Sequence, residues 1–373
     1  MSTRDGKILP LESLRGLAAL SVVIYHSGGT SILFDNAFFR HAYLMVDFFF
    51  VLSGYVIALN YFDRINGIAS LVAFQTKRFW RLYPLHLATL LCYLGIETAK
   101  YVFEQKTGIV ANNPAFSIND GWAFVANLLL AHAFLVPEPS FNIPSWSISA
   151  EFYTYLIFAV VLLARRRAVL VVAVAALMFL VAIGFNGGKV AEDFSFTMAR
   201  CVLAFFTGAC IHLSLRRWTI ELPALAQPLS LLAAGAAIVL LAGTSGEWLL
   251  PLLFALVVLA FSSGGERPVA RVLSAAPLVY LGTISYSIYM THSIVWWASD
   301  QFMRFVLHLP TRVTESGAVV LAHPQGADIL IVGLQLALTI AVSHLTYVLI
   351  EKRFRHGIPG RARPHAPTAP GKA

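Results

Sequence analysis

Leu9-Pro10-Leu11-Glu12-Ser13-Leu14-Arg15-Gly16-Leu17-Ala18-Ala19-Leu20-Ser21-Val22-Val23-Ile24-Tyr25-His26 is an apolar run long enough to cross a bilayer, with a cation in one half and an imidazole at its far end. At about 100° and about 1.5 Å per residue, the eleven steps from Arg15 to His26 return the helix to within about 20° of its starting face and raise it about 16 Å. A fixed charge and a titratable ring therefore look along one wall at two depths.

The rest of the chain has the same character. Hydrophobic residues make up 58% and charged residues 12% of 373 positions, and the mean hydropathy is +0.72. That is the content of a polytopic all-α membrane protein, so charges inside its spans need a reason. Ten apolar runs reach or approach spanning length: Leu9–His26, Ala42–Phe62, Leu82–Phe103, Trp146–Ala164, Val169–Phe185, Phe196–Leu215, Leu229–Leu241, Trp248–Ser262, Pro277–Ala298 and Ile329–Ile350. The seventh and eighth are the shortest.

Basic residues set the orientation. With ten crossings, the loops on the N-terminal side hold Arg4 and Lys7, then Arg64, Lys77, Arg78 and Arg81, then Arg165 to Arg167, Arg216 and Arg217, Arg267 and Arg271, and the basic C-terminus. The opposite loops are longer and hold only scattered cations, among them Arg40, Lys100 and Arg200. Both termini are then cytoplasmic. An eleventh crossing at Trp122–Val136 would place every later basic cluster outside, so residues 122–136 read as a re-entrant or surface-packed segment. Residues 1–356 form one membrane domain, and residues 357–373, rich in Pro, Gly and Arg, read as a disordered tail.

Several function classes drop out. The net charge of +8 is spent on loop clusters, leaving no basic stripe for nucleic acid. Cys92, Cys201 and Cys210 fall within spans at spacings that suit neither a disulfide framework nor a metal site, so they read as packing residues and no metal is expected. No phosphate-binding Gly-rich loop, H-E-x-x-H or G-x-S-x-G occurs, no cleavable signal peptide is read at the N-terminus, and no soluble domain is expected beyond the membrane region.

Depth then sorts the polar residues. His26, Asp47, Glu151 and His292 all fall in the outer half, whereas Arg15, Arg78 and Arg81 fall at the inner side. Arg78 and Arg81, at i and i+3, place two guanidinium forks on one face, which suits phosphate. Each has a plainer reading: a snorkelling Arg15 paired with Glu12, interfacial histidines, positive-inside arginines, a structural ion pair for Asp47 or Glu151. The sorting by leaflet is the stronger signal, and it suggests anion binding inside and acid–base chemistry outside.

The run from Leu11 to Leu20 leading to His26, together with Val46-Asp47-Phe48-Phe49-Phe50-Val51-Leu52-Ser53-Gly54-Tyr55, closely resembles the start of the acyltransferase-3 family of integral membrane O-acyltransferases. Arg78-x-x-Arg81, Trp146-Ser147 through Glu151, and Ser285-Tyr286-Ser287-Ile288-Tyr289 with His292 match in order, so the resemblance extends from about Leu9 to Glu351. It implies transfer of an acyl group, usually acetyl from acetyl-CoA, to a hydroxyl of an extracytoplasmic glycan or other glycosylated acceptor, with Arg15, His26, Arg78 and Arg81 functional. Some members carry a further hydrolase-like domain, which is not expected here. Glu12 stands where relatives often have Asp.

The residues supply a compatible chemistry. Arg15, Arg78 and Arg81 would bind acyl-CoA, whose slender arm would thread along the small side chains Ala19 and Val22 to His26. His26 would act as general base, with Glu151 or Asp47 fixing its tautomer, or would carry the acyl group itself. His292, Tyr289, Ser285 and Trp146 are further candidates. Phe116, Trp122, Phe134 and Phe141 in the loop from Glu104 to Ser145 offer ring faces to a sugar. Expected partners are the lipid bilayer, acyl-CoA and a carbohydrate acceptor, with a homo-oligomer left open. The rival readings are a transporter or flippase of lipid-linked glycans, and a membrane subunit without chemistry of its own.

Overall fold

The computed structural model describes residues 3–4, 7–27, 36–185, 187, 189, 193–263, 265, 267–313, 319–322 and 327–354. The expected tail at 357–373 lies outside them. In lipid every backbone polar group has to be satisfied within the chain, and an apolar run does so by becoming a helix. All ten expected runs are helical. The main helices are α1 (Leu9–Tyr25), α2 (Met45–Tyr61), α3 (Ile68–Thr107), α4 (Gly121–Leu128), α5 (His132–Leu135), α6 (Trp146–Leu162), α7 (Arg167–Gly184), α8 (Thr197–Arg217), α9 (Ala226–Leu241), α10 (Leu250–Ser263), α11 (Ala276–Thr283), α12 (Ser285–Phe305) and α13 (Asp328–Thr346). Only two short antiparallel ribbons, Thr3–Arg4 with Lys7–Ile8 and Thr311–Val313 with Val319–Leu321, depart from this all-α plan among the described residues.

Five helical segments are both long and apolar enough to cross a membrane: 42–61, 143–162, 167–184, 194–217 and 328–354. α9 and α10 are apolar but shorter. The structure departs from the expected spans at two places. The third run belongs to a continuous helix of 40 residues, about 60 Å long and so about twice the hydrocarbon thickness. Arg78 and Arg81 therefore sit on helix α3, not in the loop before it. The ninth run is broken at Ile284 into α11 and α12. Residues 122–136 form α4 and α5, of 8 and 4 residues, each too short to cross.

The bundle centre is α8, laid along α2 and flanked by α6, α7 and α10. Phe50, Phe158, Phe205, Phe206 and Phe254 fill the space between them and are fully buried. Two glycines set the α2–α8 distance: a Cβ on Gly54 would lie 1.8 Å from the Phe205 carbonyl oxygen, and one on Gly208 would lie 1.9 Å from that of Val51. Close backbone approach between small residues replaces the hydrophobic driving force that lipid does not supply. α1 meets α11 in the same way, Gly16 against Gly282, whose Cβ would fall 1.9 Å from the Glu12 carbonyl oxygen. This second contact positions the candidate site.

Gly208→Val is expected to abolish recovery of folded, monodisperse protein in size-exclusion chromatography, because backbone and not a movable side chain blocks the new methyl groups. Gly235→Ala, with open space around it in mid-helix, is expected to keep folding and add about 0.5–1 kcal/mol, read as a higher melting temperature.

Candidate active site

α1 begins at Leu9 with Pro10 in its first turn and is capped at its far end by His26, whose backbone N–H still reaches the Val22 carbonyl. The His26 ring turns back onto that same carbonyl, with Nδ1 at 2.8 Å from the Val22 oxygen. Against it stands His292, fully buried on α12, with Nε2 at 3.3 Å from His26 Nδ1 and ring centroids 4.9 Å apart. The Nδ1 of His292 lies 3.2 Å from the Ile288 carbonyl, one turn back, and the Ser293 hydroxyl is 3.3 Å from its Nε2. Two residues from runs far apart in sequence are thus brought together. Among the described residues no hydrogen bond is made to His26 Nε2, and the ring is half-buried.

Eleven residues earlier, Arg15 spans the break between α11 and α12. It donates through Nη2 to the Gly282 carbonyl and through Nε to the Ser285 hydroxyl, each at 2.9 Å, and pairs with Glu12 at 3.3 Å. A helix that stops leaves carbonyls without intrahelical donors, and Arg15 uses one of them. Arg81 on α3 lies 3.7 Å from Glu351, a buried carboxylate that also accepts from Ser287 at 2.9 Å. Glu351 closes a π-helical turn, Tyr347–Glu351, at the end of α13. Arg78 has no carboxylate within ion-pair distance among the described residues; its guanidinium lies over Tyr61 and Phe74, 3.4 Å from the Tyr61 hydroxyl, with Nε buried and unbonded.

The acids do not gather around His26 as the sequence suggests. Asp47, 2% exposed, gives both carboxylate oxygens to Arg200, at 2.7 and 3.1 Å. Arg200, 5% exposed on α8, also lies over the Trp146 ring and is no loop cation. Glu151 makes no ion pair among the described residues and lies within electrostatic range of Arg81, Tyr155 and Tyr286. The groups that fix the His26 ring are therefore Val22 and His292. Ala19 and Val22 are also closed off: Ala19 packs with Ile284 and Ile288, so the wall from Arg15 to His26 is covered by α12 and is not an open path.

Tyr289 donates to the Pro144 carbonyl at 3.0 Å and accepts from Ser147 at 2.9 Å, tying the start of α6 to α12 beside His292. In the loop segment, Trp122 and Phe134 are exposed while Phe141 is buried. Arg200 and Glu351 were missed in the sequence. Arg200 carried a signal, a charge within an apolar run at the depth of Asp47; Glu351 closes the last apolar run next to Lys352 and Arg353 and reads there as ordinary loop charge. The cysteines are unpaired, and no group of three or more His, Cys, Asp or Glu is placed to hold a metal among the described residues.

The acyltransferase domain family matches residues 9–348. The chain belongs to the acyltransferase-3 family. It is 34% identical over 172 residues to the acyltransferase MdmB of Streptomyces mycarofaciens, covering 42% of this chain and 40% of the relative. With the O-acetyltransferase OatA of Staphylococcus aureus it shares 25% identity over 312 residues, 76% of this chain and 49% of that protein. Protein 2 in the picA locus of Rhizobium radiobacter is 31% identical over 192 residues, 47% of this chain and 94% of the relative. The chain thus spans half or less of the length of the first two of these relatives. No solved structure matches. The family match takes in α1 with Arg15 and His26, the Arg78 and Arg81 turn, and α12 with His292, and ends three residues before Glu351.

Removing one partner of the Asp47–Arg200 pair leaves a buried charge alone, at about 3–5 kcal/mol. Asp47→Ala is therefore expected to lower the melting temperature sharply, and Asp47→Leu combined with Arg200→Met to recover much of the loss. Equal damage from the single and double substitutions would mean that the pair does more than neutralise itself.

Proposed function

We propose that this acyltransferase-3 protein moves an acyl group, acetyl in the first instance, from cytoplasmic acyl-CoA to a hydroxyl of an extracytoplasmic glycan such as exopolysaccharide or O-antigen. The supporting observation is the pairing of His26 on α1 with His292 on α12, which leaves His26 Nε2 without a hydrogen-bond partner among the described residues, and a cation layer of Arg15 on α1, about three turns away, with Arg78 and Arg81 on α3. In this reading the ten apolar runs all cross the plasma membrane, both termini are cytoplasmic, and residues 1–356 act as one domain with a cytoplasmic tail at 357–373.

Of Arg15, Arg78 and Arg81, Arg78 is the one without a carboxylate partner among the described residues, and Tyr61 and Phe74 beside it offer ring faces. It receives the phosphates of the donor, with Arg81 and Arg15 holding the layer together. His26 Nε2 takes the proton of the acceptor hydroxyl as that oxygen bonds to the thioester carbonyl carbon. The tetrahedral centre collapses, the C–S bond breaks, and the imidazolium returns its proton to the departing thiolate, giving the O-acyl product and free CoA. Direct transfer is preferred over an acyl-histidine because it leaves no intermediate to shield from water. Trp122, Phe134 and neighbouring loop residues face the acceptor. A transporter or flippase would need no thiol release, which separates the readings.

Purified protein given acetyl-CoA and a polysaccharide acceptor is expected to release free CoA, measured with a thiol reagent. His26→Ala should reduce turnover by about 100-fold or more, the scale of a lost general base, without changing folding or abundance. Turnover at the parental rate in that variant would sink the assignment. Arg78→Gln is expected to weaken donor binding with little effect on the rate at saturation; unaltered donor affinity would place the phosphates elsewhere.

A further inference from the structure

We propose that His292 is a positioning residue for the reaction: it holds His26 in the tautomer that carries hydrogen on Nδ1, so that the Nε2 lone pair faces the acceptor hydroxyl. The inference rests on the reading of His26 as the base. Its grounds are the hydrogen-bond directions at four atoms.

A backbone carbonyl only accepts. His26 Nδ1, at 2.8 Å from the Val22 oxygen, must therefore be the donor, and His292 Nδ1, at 3.2 Å from the Ile288 oxygen, must be one too. A neutral imidazole has one N–H, so each ring then presents Nε2 as a lone pair. For His292 that lone pair lies 3.3 Å from His26 Nδ1, where a second acceptor for the same hydrogen belongs. The opposite tautomer of His26 would set three lone pairs against one another, from Val22, from His292 and from its own Nδ1. His292 thus makes the wrong tautomer costly while leaving the right one free to act.

The choice of residue follows from its surroundings. His292 is fully buried, with Tyr289 on one side and the Ser293 hydroxyl donating to its Nε2. A carboxylate in the same place would need a cation of its own, and Arg200 is held by Asp47. A neutral imidazole gives the base an acceptor without adding a charge to the bundle. When His26 takes up the proton, its Nδ1–H becomes a charged donor and the contact with His292 strengthens, so the support is greatest when the reaction requires it.

Two substitutions separate this role from simple packing. His292→Gln keeps an acceptor near the position of Nε2; His292→Phe keeps the volume and removes it. In the CoA-release assay with acetyl-CoA and polysaccharide, the Phe variant is expected to lose about 10- to 100-fold in kcat with donor KM unchanged, and the Gln variant to retain most of the rate. In protein labelled with 15N-histidine, His26 is identified by the signal lost in His26→Ala. It should show a protonated Nδ1 and an unprotonated Nε2 in the parent and in His292→Gln, and a mixture of tautomers in His292→Phe. An unchanged His26 tautomer in the Phe variant overturns the inference, whatever its rate, as does equal loss of rate in both variants. The spectrum reads the tautomer even if His26→Ala stays active, an outcome that would remove the base assignment and leave the ring contact as a structural one.

Discussion

A charge inside an apolar bundle is tolerated only where another charge or a fixed dipole meets it, and the placement of helices in this protein follows from that constraint. Asp47 on α2 needs Arg200 on α8. Arg81 on α3 needs Glu351 at the end of α13. Arg15 on α1 needs Glu12 and the carbonyl freed where α11 stops. Each pairing joins segments distant in sequence, except that of Arg15 with Glu12, which the break between α11 and α12 completes. Apolar packing brings helices together without choosing among registers; these pairs do choose, because a slip of one turn would strand a charge.

Backbone irregularity gathers in the same places. α11 ends where Gly282 lies against α1, and its carbonyl is then available to Arg15. α13 passes into a π-helical turn where Glu351 must reach Ser287 and Arg81. A π-turn widens the helix locally and re-aims the side chains that follow, and such turns recur at functional sites. Pro84 lies within α3 three residues after Arg81, and removes one backbone donor from the helix there. The segment from α4 to α5 is fixed by α6, with the Ser149 hydroxyl accepting from Ala133 and donating to Leu130. Irregular backbone at membrane depth persists only where protein covers it.

The helices were legible in the sequence because hydropathy and spanning length are local properties. Their breaks were not, since the reason for the stop at Ile284 is the approach of α1 to Gly282, a contact that no window around residue 284 contains. The site was legible in part for the same reason. Arg15 and His26 share one helix, and their common face follows from helical geometry alone. His292 was recognisable as a polar residue in an apolar run, yet its pairing with His26 required the packing of α12 on α1. Asp47 misled because hydropathy gives a position along the helix and not an azimuth: its carboxylate turns toward α8 and Arg200. Arg200 was assigned to a loop by counting basic residues, although its own run, Phe196–Leu215, already contained it.

The covered wall between Arg15 and His26 constrains how the two depths communicate. With Ile284 and Ile288 packed on Ala19, a thioester arm cannot follow that face of α1 without moving α12. The arginine layer offers another boundary, since Arg81 and Glu351 join α3 to the end of α13. Arg15 and Arg81 are already met by carboxylates, so an incoming polyanion would gain least from them and most from Arg78, which sits over two aromatic rings. A donor entering at Arg78 lies on α3, and α3 runs to α12 through the Tyr286 hydroxyl on the Leu82 carbonyl. On the proposed reading, a donor docked at Arg78 would reach the histidine pair along the α3 side of α12, with α1 contributing His26 and not the path.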